Sequence, residues 1–157
     1  MYDTIFEDMQ LRVHQLMTHL QVSQSKLDLL RGATADDNDL QLLAGYILNG
    51  WPMHQANLPM SIRPFWHLRD ELHMANDMFF VGECLVIPAT HRSDILWQIH
   101  EGHFGQEKCK ARARRLVFWP SINSDIQSLV AKCSTCAKFR PANIKEPLLP
   151  HDLPLGP

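Results

Sequence analysis

The residues best suited to chemistry are two short pairs. His100 and His103 stand three apart in "HEGH", and Cys133 and Cys136 stand three apart in "CSTC". Between them lies a gap of 29 residues. Two imidazole nitrogens and two thiolates are the donor set that tetrahedral zinc accepts, and a Cys-x2-Cys turn lets both sulfurs reach one ion at about 2.3 Å. Four protein donors fill the tetrahedron, so the expected ion is structural, with no open position to activate water. Rival readings exist for each pair: a redox dithiol for the cysteines, surface or packing residues for the histidines. A redox dithiol needs a helix N-terminus at the motif to acidify the thiol, whereas CSTC is expected to follow a helix. Glu101 between the histidines does not make a metalloprotease helix, because that motif needs His-x3-His. Cys109 could replace one ligand, though its place in a basic helix favours packing. Cys84, in a strand pattern, reads as a core or interface thiol.

Around these pairs the charge is uneven. Residues 1–107 hold six Lys/Arg against fourteen Asp/Glu, although the whole chain carries a net charge of only −2. Residues 108–140 reverse this, with Lys108, Lys110, Arg112, Arg114, Arg115, Lys132, Lys138 and Arg140 against Asp125 alone. A basic segment of this kind is the footprint of a surface that meets phosphates, a solvated helix being the plainer alternative. No stretch approaches the roughly 20 apolar residues that span a bilayer, and the acidic start MYDTIFEDMQ is unlike a secretory signal. The expected setting is therefore intracellular, nucleus or cytoplasmic particle, where cysteines stay reduced or bind metal.

The elements that must position these groups follow from periodicity. Residues 4–31 read as one or two loosely amphipathic helices. A further helix follows, capped by Thr34 or Asp36 and stopped by Gly50 and Pro52. A Pro-containing linker and the packed segment "FWHLRDEL" come next. "MFFVGECLVIP" changes the period: Met78–Val81 and Cys84–Ile87 flank Gly82-Glu83 as a tight hairpin. Three short helices are then expected between residues 90 and 133. Thr90 caps the first, the second runs from about Gln106 to Val117, and Ser121 or Asn123 opens the third after the Trp119-Pro120 break. Trp119 has the setting of a core anchor. The fold class is mainly α with a small β-hairpin. Four segments are implied: an acidic helical segment (1–50), a linker and hairpin extension (51–89), a zinc-binding three-helix domain (90–140) and a Pro-rich linker (141–157).

Taken together, "HEGHFGQEKCKARARRLVFWPSINSDIQSLVAKCSTCAKFRP" resembles the His-His-Cys-Cys zinc-binding domain of retroviral-type integrases, specifically those of gypsy-like LTR retrotransposons. The likeness rests on the "GHFG" step, the lysine three residues later, "FWP" before the last helix and "C..C.KF" at the end. Upstream "LNGWP", "RDEL" and "LVIPATHR" and downstream "KEPLLPHDLP" extend it, the last resembling the linker into a catalytic core. The resemblance implies a small bundle with a helix-turn-helix, stapled by one Zn2+ on His100, His103, Cys133 and Cys136. It also implies binding of the element's DNA ends and association with other integrase chains as a homo-oligomer. An Asp/Asp/Glu core would lie beyond residue 157, so no catalytic activity is expected of this segment itself. Ser121 stands where the family pattern has glycine after "WP". The competing reading is a protein-protein interaction module or inert remnant that binds zinc and not DNA. A bundle this small should unfold when its metal is lost.

Overall fold

The computed structural model describes residues 7, 8, 10, 11, 14 and 23–140. Most of the first part of the helical stretch expected over 4–31, and the 141–157 segment, lie outside the described residues. The five earlier described positions are helical. Helix α1 (Gln24–Asp36) starts where Ser23 Oγ accepts the Lys26 N–H, and it buries Leu27, Leu30 and Thr34 at i, i+3 and i+7. Neither Thr34 nor Asp36 is therefore a cap: both lie in α1, and Thr34 Oγ1 donates back to Leu30 O at 2.7 Å. The cap of α2 (Asn38–Asn49) is Asp37, whose Oδ1 accepts from Asp39 N and Leu40 N at 3.1 Å. Its Oδ2 accepts from Ala89 N at 3.0 Å, tying the two N-terminal helices to the start of the region carrying the histidines. Gly50, at φ 99, ends α2 in a conformation that costs a Cβ-bearing residue energy. "RPFWHL" forms a six-residue 3-10 helix beneath the sheet.

The hairpin β2 (Met78–Val81) and β3 (Cys84–Val86) turns at Gly82, φ 56, as its sequence suggests. It is the middle of a larger sheet. Strand β1 (Leu72–Ala75) pairs antiparallel with β2 through a turn at Asn76 and Asp77, both at positive φ. Strand β4 (Val117–Phe118) pairs parallel with β3, giving the order β1-β2-β3-β4. The helix expected to run through Val117 therefore stops at Ala113. Leu116 O is taken by Leu85 N and Phe118 O by Ile87 N, so the segment's hydrogen bonds go to the sheet.

Both faces of this sheet are covered, which is why "MFFV" is apolar throughout rather than alternating. Met78, Phe80, Leu85, Ile87 and Val117 face Leu27 and Leu30 of α1 and the helices α3 (Arg92–His100), α4 (Gln106–Ala113) and α5 (Ile122–Lys132). Phe79, Val81 and Val86 face Leu40 and Leu43 of α2 with Leu58, Ile62 and Phe65. Trp119 is fully buried, as its setting suggested, and its Nε1–H donates to Asp125 Oδ2 at 2.7 Å. Ser121 precedes α5 at φ −95 and donates to the same carboxylate oxygen at 2.8 Å. No positive φ is needed there, so the missing glycine costs nothing. A fourth short helix, α6 (Ser134–Lys138), follows α5 and buries none of its residues. The result is mainly α with a small sheet, the core passing without a break across residues 89 and 90. No helix of the described residues is long and apolar enough to cross a membrane.

Candidate metal centre and basic groove

His100 is the last residue of α3 and is buried, at 1% exposure. The chain then doubles back. His103 adopts φ 50 and its N–H donates to His100 O at 2.7 Å, which sets the two imidazoles edge to face with centroids 5.1 Å apart. Gly102 makes room for this turn, since a Cβ there would sit 2.5 Å from the Phe104 ring. From the other side, α5 delivers Cys133 at its C-terminal cap, and Cys133 at once caps α6, which carries Cys136. CSTC thus follows one helix and also opens another, so the expectation that it only follows a helix was incomplete.

The four donor atoms lie within 4.8 Å of one another, a group that could hold a metal ion. Cys136 Sγ is 3.4 Å from His100 Nε2, and Cys133 Sγ is 3.4 Å from His103 Nδ1. With Zn–S about 2.3 Å and Zn–N about 2.0–2.1 Å, a tetrahedral S···N edge is about 3.6 Å, so both separations fit a shared zinc ion. The Cys133 thiol is pushed down to about 6 by hydrogen bonding, first to the His100 side chain and then to the backbone of Cys136. Cys136 is pushed up, by desolvation and then by Cys133. The group thus favours one thiolate before any cation neutralises a second.

Cys109 lies beside this group rather than in it. It is buried, its Sγ is 3.7 Å from His100 Nδ1, and it donates to Phe104 O at 3.3 Å. Burial raises its thiol pKa, as expected of a packed thiol. Cys84 is half-buried and donates to Arg114 O at 3.0 Å.

Residues 87–142 match the integrase zinc binding domain family. This segment is similar to integrase zinc-binding domains. That likeness and the two-His, two-Cys cluster together support one structural zinc ion. A Caenorhabditis elegans protein named uncharacterized protein K02A2.6 is 32% identical over 98 residues, covering 62% of this chain. Only 8% of that protein's length is spanned, so this chain corresponds to a small part of it. No solved structure matches.

The eight basic residues are not brought together as one face. Lys108, Arg112, Arg114 and Arg115 line an open groove of about 870 Å³ with Glu83, Phe104, Ala111 and Leu116. Helical spacing explains the choice: 108, 112 and 115 share a side of α4 and its C-terminal turn. Lys110 instead pairs with Glu107 at 3.4 Å, one turn back on the same helix. Arg114 caps α4 and Arg115 follows it, so neither is within the helix as expected. Lys132, Lys138 and Arg140 are exposed on the α5–α6 side and do not line the groove. Sequence reasoning passed over Phe104 and Glu83. An aromatic residue four positions before Lys108 was a readable signal for the first, whereas Glu83 reaches the groove only through the β2–β3 turn.

Proposed function

We propose that His100, His103, Cys133 and Cys136 ligate the zinc ion, and that the domain serves as a nucleic-acid-binding and multimerisation module within an integrase polyprotein. The observation that carries the reading is the convergence of four zinc-type donors within 4.8 Å in the segment that matches the family. The ion, when bound, supplies folding free energy through four bonds that the polypeptide alone cannot replace. The protein's own part is to fix the donors. The αL turn at His103 and the α5–α6 junction at Cys133 aim them, and Cys109 packs against the second nitrogen of His100. With the tetrahedron filled by protein, this site holds chain segments together and performs no hydrolysis.

Phosphate contact falls to Lys108, Arg112, Arg114 and Arg115 in the groove, with Lys132, Lys138 and Arg140 as a second basic edge. Lys110 contributes least, its charge already being met by Glu107. The partner is DNA, at the element ends of a gypsy-type retrotransposon, with helix-turn-helix-like use of α4 and α5. Strand transfer belongs to a separate Asp/Asp/Glu core. A second reading, an interface with other integrase chains, draws on exposed apolar side chains: Trp97 on α3 is 58% exposed and Phe139 after α6 is 74% exposed.

Native mass spectrometry of the purified chain tests the metal site. One zinc per chain, lost in Cys133→Ser and retained in Cys84→Ser, supports the assignment; no zinc, or zinc retained in Cys133→Ser, refutes it. Fluorescence anisotropy with duplex and with single-stranded DNA across a salt series tests the second part. Affinity falling steeply with salt supports phosphate contact, and no binding in low salt refutes it.

A further inference from the structure

We propose that the groove beside the metal centre takes an unpaired stretch of nucleic acid, with one base stacked on Phe104 and its phosphates on Arg112, Arg114, Arg115 and Lys108. The inference rests on the nucleic-acid reading above and specifies the form of the ligand. Four observations converge on it.

The site is concave, lined by α4 with its C-terminal turn and by Glu83 of the β2–β3 turn. A concave, basic channel accommodates a single strand, whereas a duplex is read by elements that protrude into its grooves. The channel also contains an aromatic ring. Phe104 is 42% exposed and lines the groove among the basic residues, the pairing of stacking platform and cationic track that single-strand binders use.

The ring also has packing of its own. Its edge lies over Gly102, close to where a Cβ would sit, and its backbone carbonyl accepts from buried Cys109. Lys108 Nζ sits 5.7 Å from the ring centroid, near the limit of a cation–π contact. On its flexible stem that ammonium can leave the ring for a phosphate as a base takes its place. Finally, the groove is not uniformly basic. Glu83 is out of place in a site for the phosphates of a duplex, but its carboxylate can accept from the exocyclic amines of unpaired bases, as acidic side chains do from cytosine. It also repels phosphates toward the α4 wall, which sets an orientation.

The test uses the zinc-loaded full chain with a fluorescein-labelled, mixed-sequence single strand of about 12 nucleotides and the matching duplex, in about 0.1 M NaCl. Phe104→Ala is expected to weaken single-strand binding about tenfold or more, with the duplex changed less than about threefold, because base stacking is lost and phosphate contact is kept. Phe104→Tyr, which keeps the ring, is expected to bind the strand as the wild type does. Zinc content and circular dichroism of each variant establish that the fold is intact, as truncation of a partly exposed ring should leave it.

If Phe104→Ala lowers neither affinity, or both equally, this inference is overturned while the nucleic-acid reading stands. If neither probe binds the wild type, both fall. Displacement of the strand by a Glu-rich peptide of matching charge, at equal concentration, would identify an acidic protein surface as the occupant and overturn the proposal.

Discussion

Chelation of the zinc is the perturbation whose outcome depends most on tertiary structure. A three-helix block of about 50 residues standing alone would unfold with its metal, since domains of that size bury too little apolar surface. Here the block does not stand alone. Ile95, Ile99, Ala113, Leu116, Ile122, Ile126 and Val130 share one core with Leu27, Leu30, Met78, Phe80 and Leu85. Helix α6 differs, because none of its five residues is buried and its tie to the body is the four-residue cluster. Removing zinc should therefore release α6 and the 101–105 turn and leave α3, α4, α5 and the sheet in place. Ordering those ten or so residues costs about 1–2 kcal/mol each, which the metal–ligand free energy of about 10–16 kcal/mol covers, largely or wholly. At free zinc about 1,000 times Kd, linkage adds about 4 kcal/mol of stability. For a chain of this length that corresponds to roughly 8–16 °C in Tm. Hydrogen exchange with mass spectrometry, before and after a strong chelator, reads this directly. Peptides covering 101–105 and 133–140 should lose protection, while those covering 78–87 and 122–130 keep it. Loss of protection through β2, β3 and α5 together, with no remaining thermal transition, would refute the shared-core argument.

Other substitutions test individual links. Asp37→Ala removes the acceptor of two helix N–H groups and of Ala89 N, and should cost about 2 kcal/mol or more in urea unfolding, beyond an ordinary cap at about 1 kcal/mol. Trp119→Phe deletes a buried donor to the Asp125 carboxylate and leaves a void, with an expected loss of about 3 kcal/mol and no change in zinc stoichiometry. The Asp94 carboxyl is held below its ordinary 3.8 by its hydrogen bond and ion pair with Lys26 at 3.0 Å. That depressed value makes its contribution present above the ordinary pKa and lost as pH falls through the native one. Asp94→Asn should thus have a lower urea midpoint than wild type at neutral pH and match it in strong acid. Chelation should also weaken single-strand binding by the basic groove, because Phe104 sits in the turn that the metal fixes; unchanged anisotropy after zinc removal would separate the two sites.

Much of the candidate metal centre was legible because its chemistry is local. A Cys-x2-Cys or His-x2-His pair can close on one ion through the geometry of a single turn, and the donor types suit zinc. The β2–β3 hairpin was equally visible, since Gly82 supplies the positive φ that the turn between two apolar runs demands. Tertiary structure decided what depends on partners distant in sequence. Val117 reads in sequence as the end of a helix and instead opens β4 with Phe118, because β3 offers unpaired N–H groups to Leu116 O and Phe118 O. Thr34, Asp36 and Asp37 are all cap-type residues in sequence, and Asp37 is the one whose second carboxylate oxygen also holds Ala89 N from a distant segment. The basic residues show the same division. Their number fixed the sign of the surface, but only the docking of α4 against the hairpin put Lys108, Arg112, Arg114 and Arg115 in one groove with Glu83 and Phe104, leaving Lys110 to its own helix. A side chain's type is carried by the chain, whereas its neighbours are set by packing that must satisfy every element together.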